Sequence, residues 1–523
     1  MSHQPTNILN FRFHFLFAAT MWSRLGVAQE GQLVARPPIH PASFDSLQSN
    51  RLDDIFLYYE DQPAELSYRY KLSVLDRSIV VLPTTQLAYA TAVFLIPAGR
   101  ESEFMFSSAA GLQQIAESAQ TARLIAVSFG RRHEFCTQET VQQELAFAVQ
   151  VLSRQGLFLP KSHAALREQT NIPFLAMDGI GQRNVIAEGE SALSGRYLVE
   201  QVKAGGGLTV RRLYFMDNPF VIQSEVALLS TDLEKVDTSH AAFEYHKQMA
   251  AGVLALTAVD STKSTTVVSG LMVGLGGGGL VNFLRYLLPE TRHNLTAIEL
   301  DPTVVQVAQQ YFGVVLNDTN ANVDHPFAGV TVRVGDGLCI CADTDETACM
   351  LPGAILFPEE SLSFLAIDVD SKDKSVGMAC PPVSFVEPEY LEQISKLLQP
   401  NGVLAVNVSA RDPSMLELAC RNVKAIFPTV IVCKQEDQEE ERKDVNVVLF
   451  ALRNQIDLPP NDKLMEQLER FVAKESVDGT VFADLKDCLD DLRVWNTETE
   501  TGTANYKTGK KKPKGKKKRG KRK

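Results

Sequence analysis

The chain has 523 residues, of which 45% are hydrophobic and 22% are charged. This length exceeds what one hydrophobic core usually supports, so at least two globular domains are expected. No run approaches the roughly 18 to 20 consecutive apolar residues that cross a bilayer, which argues against a membrane protein, and the net charge of −11 hides an acidic body joined to a basic tail.

The front of the chain is predicted to be a poorly ordered leader, residues 1–50, followed by a β-rich domain, residues 51–235. Short runs rich in β-branched and aromatic residues indicate its strands. These runs are Ile55–Tyr59, Tyr68–Leu75, Thr91–Ile96, Leu124–Ser128, Arg196–Val202, Leu208–Phe215 and Phe220–Ser224. One amphipathic helix is expected from Glu139 to Arg154, where apolar residues recur at helical spacing.

Residues 236–455 alternate between helix and strand, which predicts a Rossmann-like α/β domain with a parallel sheet. The expected strands are one ending at Val273, then Leu295–Leu300, Val330–Val334, Phe364–Val369, Gly402–Val408, Val430–Cys433 and Val445–Leu452. The expected helices are Leu280–Leu288, Pro302–Phe312, Glu387–Leu398 and one centred on Leu416–Ile426. A helical segment, residues 456–496, and a disordered Lys-rich tail, residues 497–523, complete the chain.

The eight cysteines are scattered over predicted strands, helices and loops, a distribution typical of reduced intracellular proteins. Cys339-x-Cys341 lacks the two-residue spacing of a zinc knuckle, and no second pair completes a set of four ligands. We therefore predict no metal site and interpret the cysteines as core residues.

A glycine run, Gly274-Leu275-Gly276-Gly277-Gly278-Gly279, lies between a predicted buried strand and a predicted helix. Glycine suits this place because the turn is tight and the backbone must approach a ligand closely. Taken alone, the run also satisfies the motif of a nicotinamide-dependent enzyme. The run predicts a nucleotide-type cofactor without identifying it.

Acidic residues follow the next strand ends at the carboxyl edge, where open α/β sheets hold ligands. Glu299 is placed to bind a ribose diol, Asp336-Gly337 to meet an adenine amino group, and Asp368 and Asp370 to complete the rim. A rim of negative charge suits a sulfonium cofactor better than a pyrophosphate, so S-adenosyl-L-methionine is predicted. Its predicted contacts are Gly274, Gly276, Gly278, Glu299, Asp336, Gly337 and Asp368. An exposed strand-end acid, a turn residue and a helix cap are the alternative readings of these acids.

The motifs resemble those of the spermidine synthase superfamily in order and spacing. They are Tyr245-His246, Val273–Leu280, Ile298–Pro302, Gly335–Gly337 and Ile367–Ser371. The segments Met272–Gly278, Asp368–Asp373 and Gly377–Pro382 resemble more closely the C-terminal half of the methyltransferase-like protein 13 family. Those eukaryotic enzymes have two methyltransferase domains and modify translation elongation factor 1-alpha on a lysine and on its N-terminal amine.

The resemblance implies a seven-stranded class I methyltransferase domain behind a mainly β domain, and methylation of the N-terminal α-amine of elongation factor 1-alpha. It also implies that Asp368 or Asp370 orients the incoming amine while Tyr245 and His246 wall the acceptor site. No counterpart of the family's first, lysine-modifying domain is expected before Leu52, so the N-terminal activity alone is implied. A homodimer is implied as well.

Two other functions stay open. The same site could hold decarboxylated S-adenosylmethionine for aminopropyl transfer, although Lys372 lies where a dicationic amine would approach. A catalytically inactive scaffold is the second alternative, and the joint presence of the glycine run and the acids counts against it.

The tail from Lys507 to Lys523 holds twelve Lys or Arg and no acid, which leaves −23 on the rest of the chain. Such a run is typical of a nuclear address, of a loose RNA or ribosome contact, or of a solvated extension without specific function. We expect a cytoplasmic protein, with the tail as a candidate nuclear address.

Overall fold

A computed structural model gives the structure of the chain. It describes residues 33–35, 52–59, 68–77, 87–131, 137–154, 157, 159, 166, 171–176, 183–218, 221–257, 267–289, 293–317, 329–345, 352–371, 377–434, 445–472 and 477–495. Most of the predicted leader, the whole Lys-rich tail and Lys372 lie outside the described residues.

The first unit is a six-stranded sheet with helices. Its strands are β1 (Leu33–Ala35), β2 (Leu52–Tyr59), β3 (Tyr70–Asp76), β4 (Tyr89–Leu95), β5 (Thr121–Phe129) and β6 (Phe174–Ala176). Its helices are α1 (Phe104–Ser107), α2 (Ala109–Ser118) and α3 (Gln138–Arg154). The sheet order is β1-β2-β3-β5-β4-β6, with β4, β5 and β6 parallel. Every residue of β5 is buried, because α2 and α3 contribute to separate apolar clusters with the sheet.

Helix α2 is a correction to the sequence analysis, which expects a single helix in this part of the chain. The expected helix is present as α3. Helix α2 has the sequence AAGLQQIAES and buries Gly111, Leu112 and Ala116. Leu112, Ile115 and Ala116 recur at helical spacing and pack on the sheet, so the periodicity of a helix is present in this segment although no helix was predicted there.

The second unit is a five-stranded antiparallel sheet, here named the antiparallel sheet. Its strands are β7 (Arg183–Ser191), β8 (Gly195–Lys203), β9 (Thr209–Phe215), β10 (Ser224–Leu229) and β11 (Asp232–Asp237), in the order β11-β10-β9-β8-β7. The predicted hairpin is present as β8 and β9, with a 3-10 turn at Gly205–Gly207. The strand predicted at Phe220–Ser224 instead begins at Ser224.

The third unit contains a nine-stranded sheet. Its strands are β12 (Val268–Val273), β13 (His293–Glu299), β14 (Thr331–Val334), β17 (Leu362–Ile367), β18 (Met378–Cys380), β19 (Leu398–Ala410), β20 (Thr429–Cys433), β21 (Val445–Leu452) and β22 (Leu492–Val494). Strands β15 (Ile340–Ala342) and β16 (Ile355–Phe357) form a separate parallel pair. The helices are α4 (Glu244–Leu256), α5 (Gly279–Leu287), α6 (Pro302–Tyr311), α7 (Pro388–Ser395), α8 (Pro413–Ile426), α9 (Asn461–Phe471) and α10 (Gly479–Asp490).

The order of the large sheet is β14-β13-β12-β17-β19-β21-β20-β22, with β18 attached to β19. Strands β14 to β19 along this order are parallel, whereas β21 runs antiparallel to both neighbours. The order reverses direction at β12, so the carboxyl ends of β12 and β17 flank a switch point where such sheets bind ligands. The predicted Rossmann-like α/β class is confirmed.

Some predicted limits shift by a few residues. Strand β17 ends at Ile367, two residues before the predicted end at Val369. Asp368 and Asp370 are therefore in the loop beyond the strand. Helix α6 begins at Pro302 as predicted, because Asp301 caps it by accepting the Thr303 N–H at 2.9 Å.

The C-terminal helices α9 and α10 pack on α4 and extend the core of the third unit. Leu464, Leu468, Phe471 and Val472 are buried together, as their spacing predicts. Helix α10 also forms an ion pair with α4, between Asp484 and Lys247 at 2.9 Å. None of the helices in the described part of the chain combines the length and apolar character needed to span a bilayer.

Gly252 allows α4 to approach the large sheet closely. A Cβ atom there would lie 2.1 Å from Phe450 Cζ, and Phe450 is fully buried in β21. Gly252→Ala should lower stability by about 1 to 3 kcal/mol through overpacking, despite the higher helix propensity of alanine. The midpoint of urea unfolding measures this change.

Gly479→Ala is the matched control, because a Cβ at this first residue of α10 would contact nothing within 4 Å. Its midpoint should stay the same or rise slightly. An unfolding midpoint of Gly252→Ala equal to that of the control would contradict the proposed close contact.

Candidate active site

The turn between β12 and α5, Gly274–Gly278, is here named the glycine turn. Gly274, Gly276 and Gly278 have φ angles of +93°, +52° and +78°, which residues with side chains rarely adopt. A Cβ atom on Gly274 would also lie 2.1 Å from the carbonyl oxygen of Asp368. Glycine is therefore required here both by backbone conformation and by close packing against the end of β17.

The backbone N–H groups of the glycine turn are all used inside the protein. Gly274 donates to the Ile298 carbonyl oxygen at 2.8 Å, and Gly278 donates to the Leu275 carbonyl oxygen at 2.8 Å. Leu275 and Gly276 both donate to Glu299 Oε2, at 3.0 and 3.2 Å. Gly277 donates to Ser224 Oγ at 2.8 Å. A dinucleotide site leaves such N–H groups free to bind pyrophosphate. The geometry therefore disfavours the nicotinamide interpretation and favours a cofactor without phosphate at this turn.

Glu299 ends β13 beside the glycine turn and is half-buried. In addition to two N–H groups of the turn, it accepts the Asp301 N–H at Oε1, at 3.0 Å. A carboxylate offers about four acceptor positions, so Glu299 retains capacity for a ribose hydroxyl. Leu300, the next residue, is 51% exposed and offers an apolar surface that suits a nucleobase.

Asp336 and Gly337 follow β14 and begin a short 3-10 helix, Gly337–Cys339. Asp336 is exposed and caps this helix by accepting the Leu338 N–H at 2.9 Å. Capping is the role that the structure shows for Asp336, and its contact with adenine stays a prediction. A Cβ atom on Gly337 would lie 2.3 Å from Val273 Cγ1, so glycine is required here for packing against β12.

Asp368 lies directly after β17 and is surrounded by four potential donors. Its Oδ1 is 2.9 Å from Asn407 Nδ2 and 4.0 Å from Cys380 Sγ. Its Oδ2 is 3.4 Å from the Tyr245 hydroxyl and 3.3 Å from His246 Nε2. These contacts fix the orientation of the Asp368 carboxylate and, in turn, hold the four surrounding side chains in place.

Cys380 and Asn407 support Asp368 from the neighbouring strands β18 and β19. Burial, with the charges of Asp368 and Asp370, raises the pKa of the Cys380 thiol well above its usual range. The thiol is therefore neutral, and its single S–H can donate either to Asp368 or to the Asn407 carbonyl oxygen at 3.4 Å. The Asn407 side chain is only 4% exposed, which makes the amide a rigid partner.

Asp370 has different surroundings. Its side chain is exposed at the rim, although protein atoms surround it on most sides, and its Oδ2 accepts from Gln223 Nε2 at 2.6 Å. Restricted hydration and the charge of Asp368 raise the pKa of Asp370 to about 6, while the Gln223 hydrogen bond lowers it. Asp370 thus changes its protonation near neutral pH, and water reaches it.

Aromatic side chains from the start of α4 form one wall beside these carboxylates. Phe243 stacks on Tyr245 with ring centroids 5.6 Å apart, and the Tyr245 and His246 centroids are 4.4 Å apart. Burial and the charge of Asp368 raise the pKa of Tyr245 well above its usual range, so its phenol is a neutral donor. The structure brings Tyr245, His246, Asp368 and the glycine turn together.

The sequence analysis did not identify Asn407, Gln223 or Ser224 as site residues. Asn407 had a detectable signal, because it is a polar residue inside the apolar run of β19. Ser224 begins β10 of the antiparallel sheet and Gln223 directly precedes it, and neither has a comparable signal. No group of three or more His, Cys, Asp or Glu side chains within the described ranges is arranged to hold a metal ion.

Comparisons with known proteins identify methyltransferases among the proteins with similar sequences. The chain is 34% identical over 405 residues to the "eEF1A lysine and N-terminal methyltransferase homolog" of Drosophila melanogaster, a match that covers 75% of the chain and 53% of the relative. It is 32% identical over 437 residues to the "eEF1A lysine and N-terminal methyltransferase" of Homo sapiens, covering 78% of the chain and 56% of the relative. The chain thus spans about half the length of the curated relatives it matches. No protein-family model matches it.

Among solved structures, human methyltransferase-like protein 13 in complex with SAH matches 50% of the chain and 98% of its own length, with 27% identity and a TM-score of 0.34. A spermidine synthase from Thermotoga maritima matches 58% of the chain and 87% of its own length, with 16% identity and a TM-score of 0.34. Over about three quarters of its length, the sequence is similar to the curated eEF1A lysine and N-terminal methyltransferases, and this sequence similarity confirms the family resemblance of the motifs.

Proposed function

We propose that the protein is an S-adenosylmethionine-dependent N-methyltransferase that acts on the N-terminal α-amine of translation elongation factor 1-alpha. The names of the relatives support both the reaction and the substrate. The observation that carries the proposal is the pair of unlike carboxylates beside the glycine turn, an oriented Asp368 and a titrating Asp370. The shared strand end places both at the switch point of the sheet.

The described residues fit this cofactor. Glu299 retains acceptor capacity for the ribose, Leu300 offers apolar surface, and the saturated N–H groups of the glycine turn suit a ligand that has no phosphate there. The bound cofactor supplies a methyl group on a positively charged sulfur, which the acidic rim stabilises. Glu299 and the glycine turn would hold the adenosine part.

The acceptor must present a free lone pair, and an α-amine does so more readily than a lysine. Their reference pKa values are about 7.7 to 8 and about 10.4, so a larger fraction of the α-amine is neutral near pH 7. Asp370 is placed to accept a hydrogen bond from this amine, exchanging it for that of Gln223. The nitrogen would gain the methyl group as the bond between that carbon and the cofactor sulfur breaks, which leaves the neutral thioether S-adenosylhomocysteine. The methylated nitrogen would release one proton, to Asp370 or to water.

Asp368 and the aromatic wall position the acceptor. Asp368 holds Tyr245 and His246 in place, and these side chains with Phe243 limit the space in which the amine can lie. Positioning of this kind supplies rate through effective concentration, without strong base catalysis.

The proposal also covers the other partners of the protein and its location in the cell. We propose a cytoplasmic, dimeric protein whose Lys-rich tail makes a loose RNA or ribosome contact or a nuclear address. The twelve basic residues without acids support the proposed roles of the tail, and the family resemblance is the basis for proposing a dimer. Binding of RNA through such a tail would fall steeply with salt concentration.

Purified elongation factor 1-alpha and radiolabelled S-adenosylmethionine test the substrate directly. We expect label on the N-terminal peptide, located by mass spectrometry. A copy of the factor with a blocked α-amine is the control and should stay unlabelled. Label on a lysine alone would contradict the α-amine as the acceptor. Aminopropyl transfer to putrescine from decarboxylated S-adenosylmethionine would show that the protein is an aminopropyltransferase instead of a methyltransferase.

Glu299→Ala should weaken binding of S-adenosylhomocysteine at least about 10-fold, because the variant loses a ribose acceptor and the partner of two turn N–H groups. Isothermal titration calorimetry measures this affinity. Glu234→Ala is the control, since Glu234 is an exposed acid of the antiparallel sheet whose ion pair is with Arg211 and not with the turn. Equal affinities of the two variants would remove Glu299 from the cofactor site.

Asp370→Asn should lower kcat at least about 100-fold while cofactor affinity stays within about 2-fold, because the neutral amide is a weaker acceptor for the incoming amine and orients it less well. The wild-type rate should rise with pH through about 6, where Asp370 ionises. This limb of the pH profile should be absent in the residual activity of the variant. Normal turnover of Asp370→Asn would exclude Asp370 from the mechanism.

Although Asp370→Asn should lower kcat, it should not lower the stability of the fold above pH 7. The folded-state pKa of Asp370 lies above its ordinary value of 3.8, so its contribution to stability is full below pH 3.8 and is lost as pH rises through about 6. Above pH 7, Asp370→Asn should therefore have a melting temperature equal to or higher than that of the wild type, as measured by differential scanning calorimetry. A clear decrease would show that charged Asp370 stabilises the fold.

A further inference from the structure

Ser224 connects the antiparallel sheet to the glycine turn. It is the first residue of β10, is 7% exposed, and its Oγ accepts the Gly277 N–H at 2.8 Å while donating to the Gln223 carbonyl oxygen at 2.8 Å. This N–H is buried. Without the serine oxygen it would lack its partner, and a buried unpaired donor is costly.

The conformational freedom of the glycine turn makes this contact important. Three of its five residues have positive φ angles, and glycine loses more conformational entropy on ordering than any other residue. The turn therefore needs external contacts to stay in one conformation. Glu299 supplies two such contacts from β13, and Ser224 supplies one from the antiparallel sheet.

A second serine of the antiparallel sheet acts on Glu299 through Asp301. Ser191, at the end of β7, is 4% exposed and donates its hydroxyl to Asp301 Oδ2. The same hydroxyl oxygen accepts the N–H groups of Leu193 and Ser194 at 3.0 and 3.1 Å. Asp301 is buried, and its own N–H donates to Glu299 Oε1. Ser191, at the hairpin end of β7, thus holds Asp301 in place, and Asp301 in turn orients Glu299.

We propose that Ser224 and Ser191 are positioning residues of the cofactor site, so that the antiparallel sheet is part of this site and not only a neighbouring domain. The inference rests on the proposed cofactor. Ser224 contacts the glycine turn directly, whereas Ser191 acts on Glu299 through Asp301. Both serines prepare the glycine turn and Glu299 for adenosine before it binds. Neither hydroxyl is assigned a contact with the reacting atoms.

The test uses the full chain and S-adenosylhomocysteine as the probe. Calorimetry should show about 5-fold weaker binding for Ser224→Ala and about 3-fold weaker binding for Ser191→Ala, the size expected for one hydrogen bond. With the elongation factor as substrate, KM for S-adenosylmethionine should rise in the same ratios while kcat changes less than about 2-fold. A purely structural role would not produce this separation of KM from kcat.

Ser73→Ala is the matched control, because Ser73 is a buried serine of the first unit that donates to Asp54 Oδ1 at 2.5 Å. Its affinity for the probe should equal that of the wild type. If both site variants bind as tightly as Ser73→Ala, the inference is overturned while the proposed function stands. If the wild type itself does not bind the probe, the proposed function fails first. Should Ser224→Ala not fold, Ser191→Ala decides.

Discussion

The architecture of this site depends on one requirement: the five consecutive backbone N–H groups of the glycine turn must each have a hydrogen-bond acceptor. A buried backbone donor must be paired, and the glycine turn finds its partners in its own carbonyl group, in β13 and in β10. The large sheet alone leaves the Gly277 N–H without the acceptor it has here. The antiparallel sheet is thus required at this position, and the glycine turn is saturated before any ligand binds, which distinguishes it from a phosphate-binding loop.

The same packing gives two neighbouring carboxylates different tasks. Asp368 points into a set of donors that includes Asn407 and Tyr245, whereas Asp370 has Gln223 and water. The charge of Asp368 contributes to the raised pKa of Asp370. An oriented carboxylate and one with a raised pKa, two residues apart, suit methyl transfer to an amine, because the methylated nitrogen must give up a proton that the second carboxylate can accept.

Buried charges join the first unit to the antiparallel sheet. Glu200 of the antiparallel sheet is fully buried, and its Oε2 lies 3.8 Å from Nε of Arg131 in the first unit, whose guanidinium lies 3.7 Å from the ring centroid of Tyr214. A buried carboxylate is costly unless it is paired, so these contacts favour a single relative arrangement of the two units. Since the opposite face of the antiparallel sheet packs on α6, the first unit supports the cofactor site indirectly.

The sequence by itself determined the features that depend on local pattern. The glycine turn, Glu299 at the end of β13, and the alternation of helices and strands after Ala241 follow from spacing and periodicity. Helix α2 was not predicted, although its apolar residues Leu112, Ile115 and Ala116 recur at helical spacing. Only the tertiary structure decided that Gln223 meets Asp370 across 147 residues and that Ser224 meets Gly277 across 53. Contacts between separate sheets depend on strand order, register and the way faces pack, and local periodicity contains none of this information.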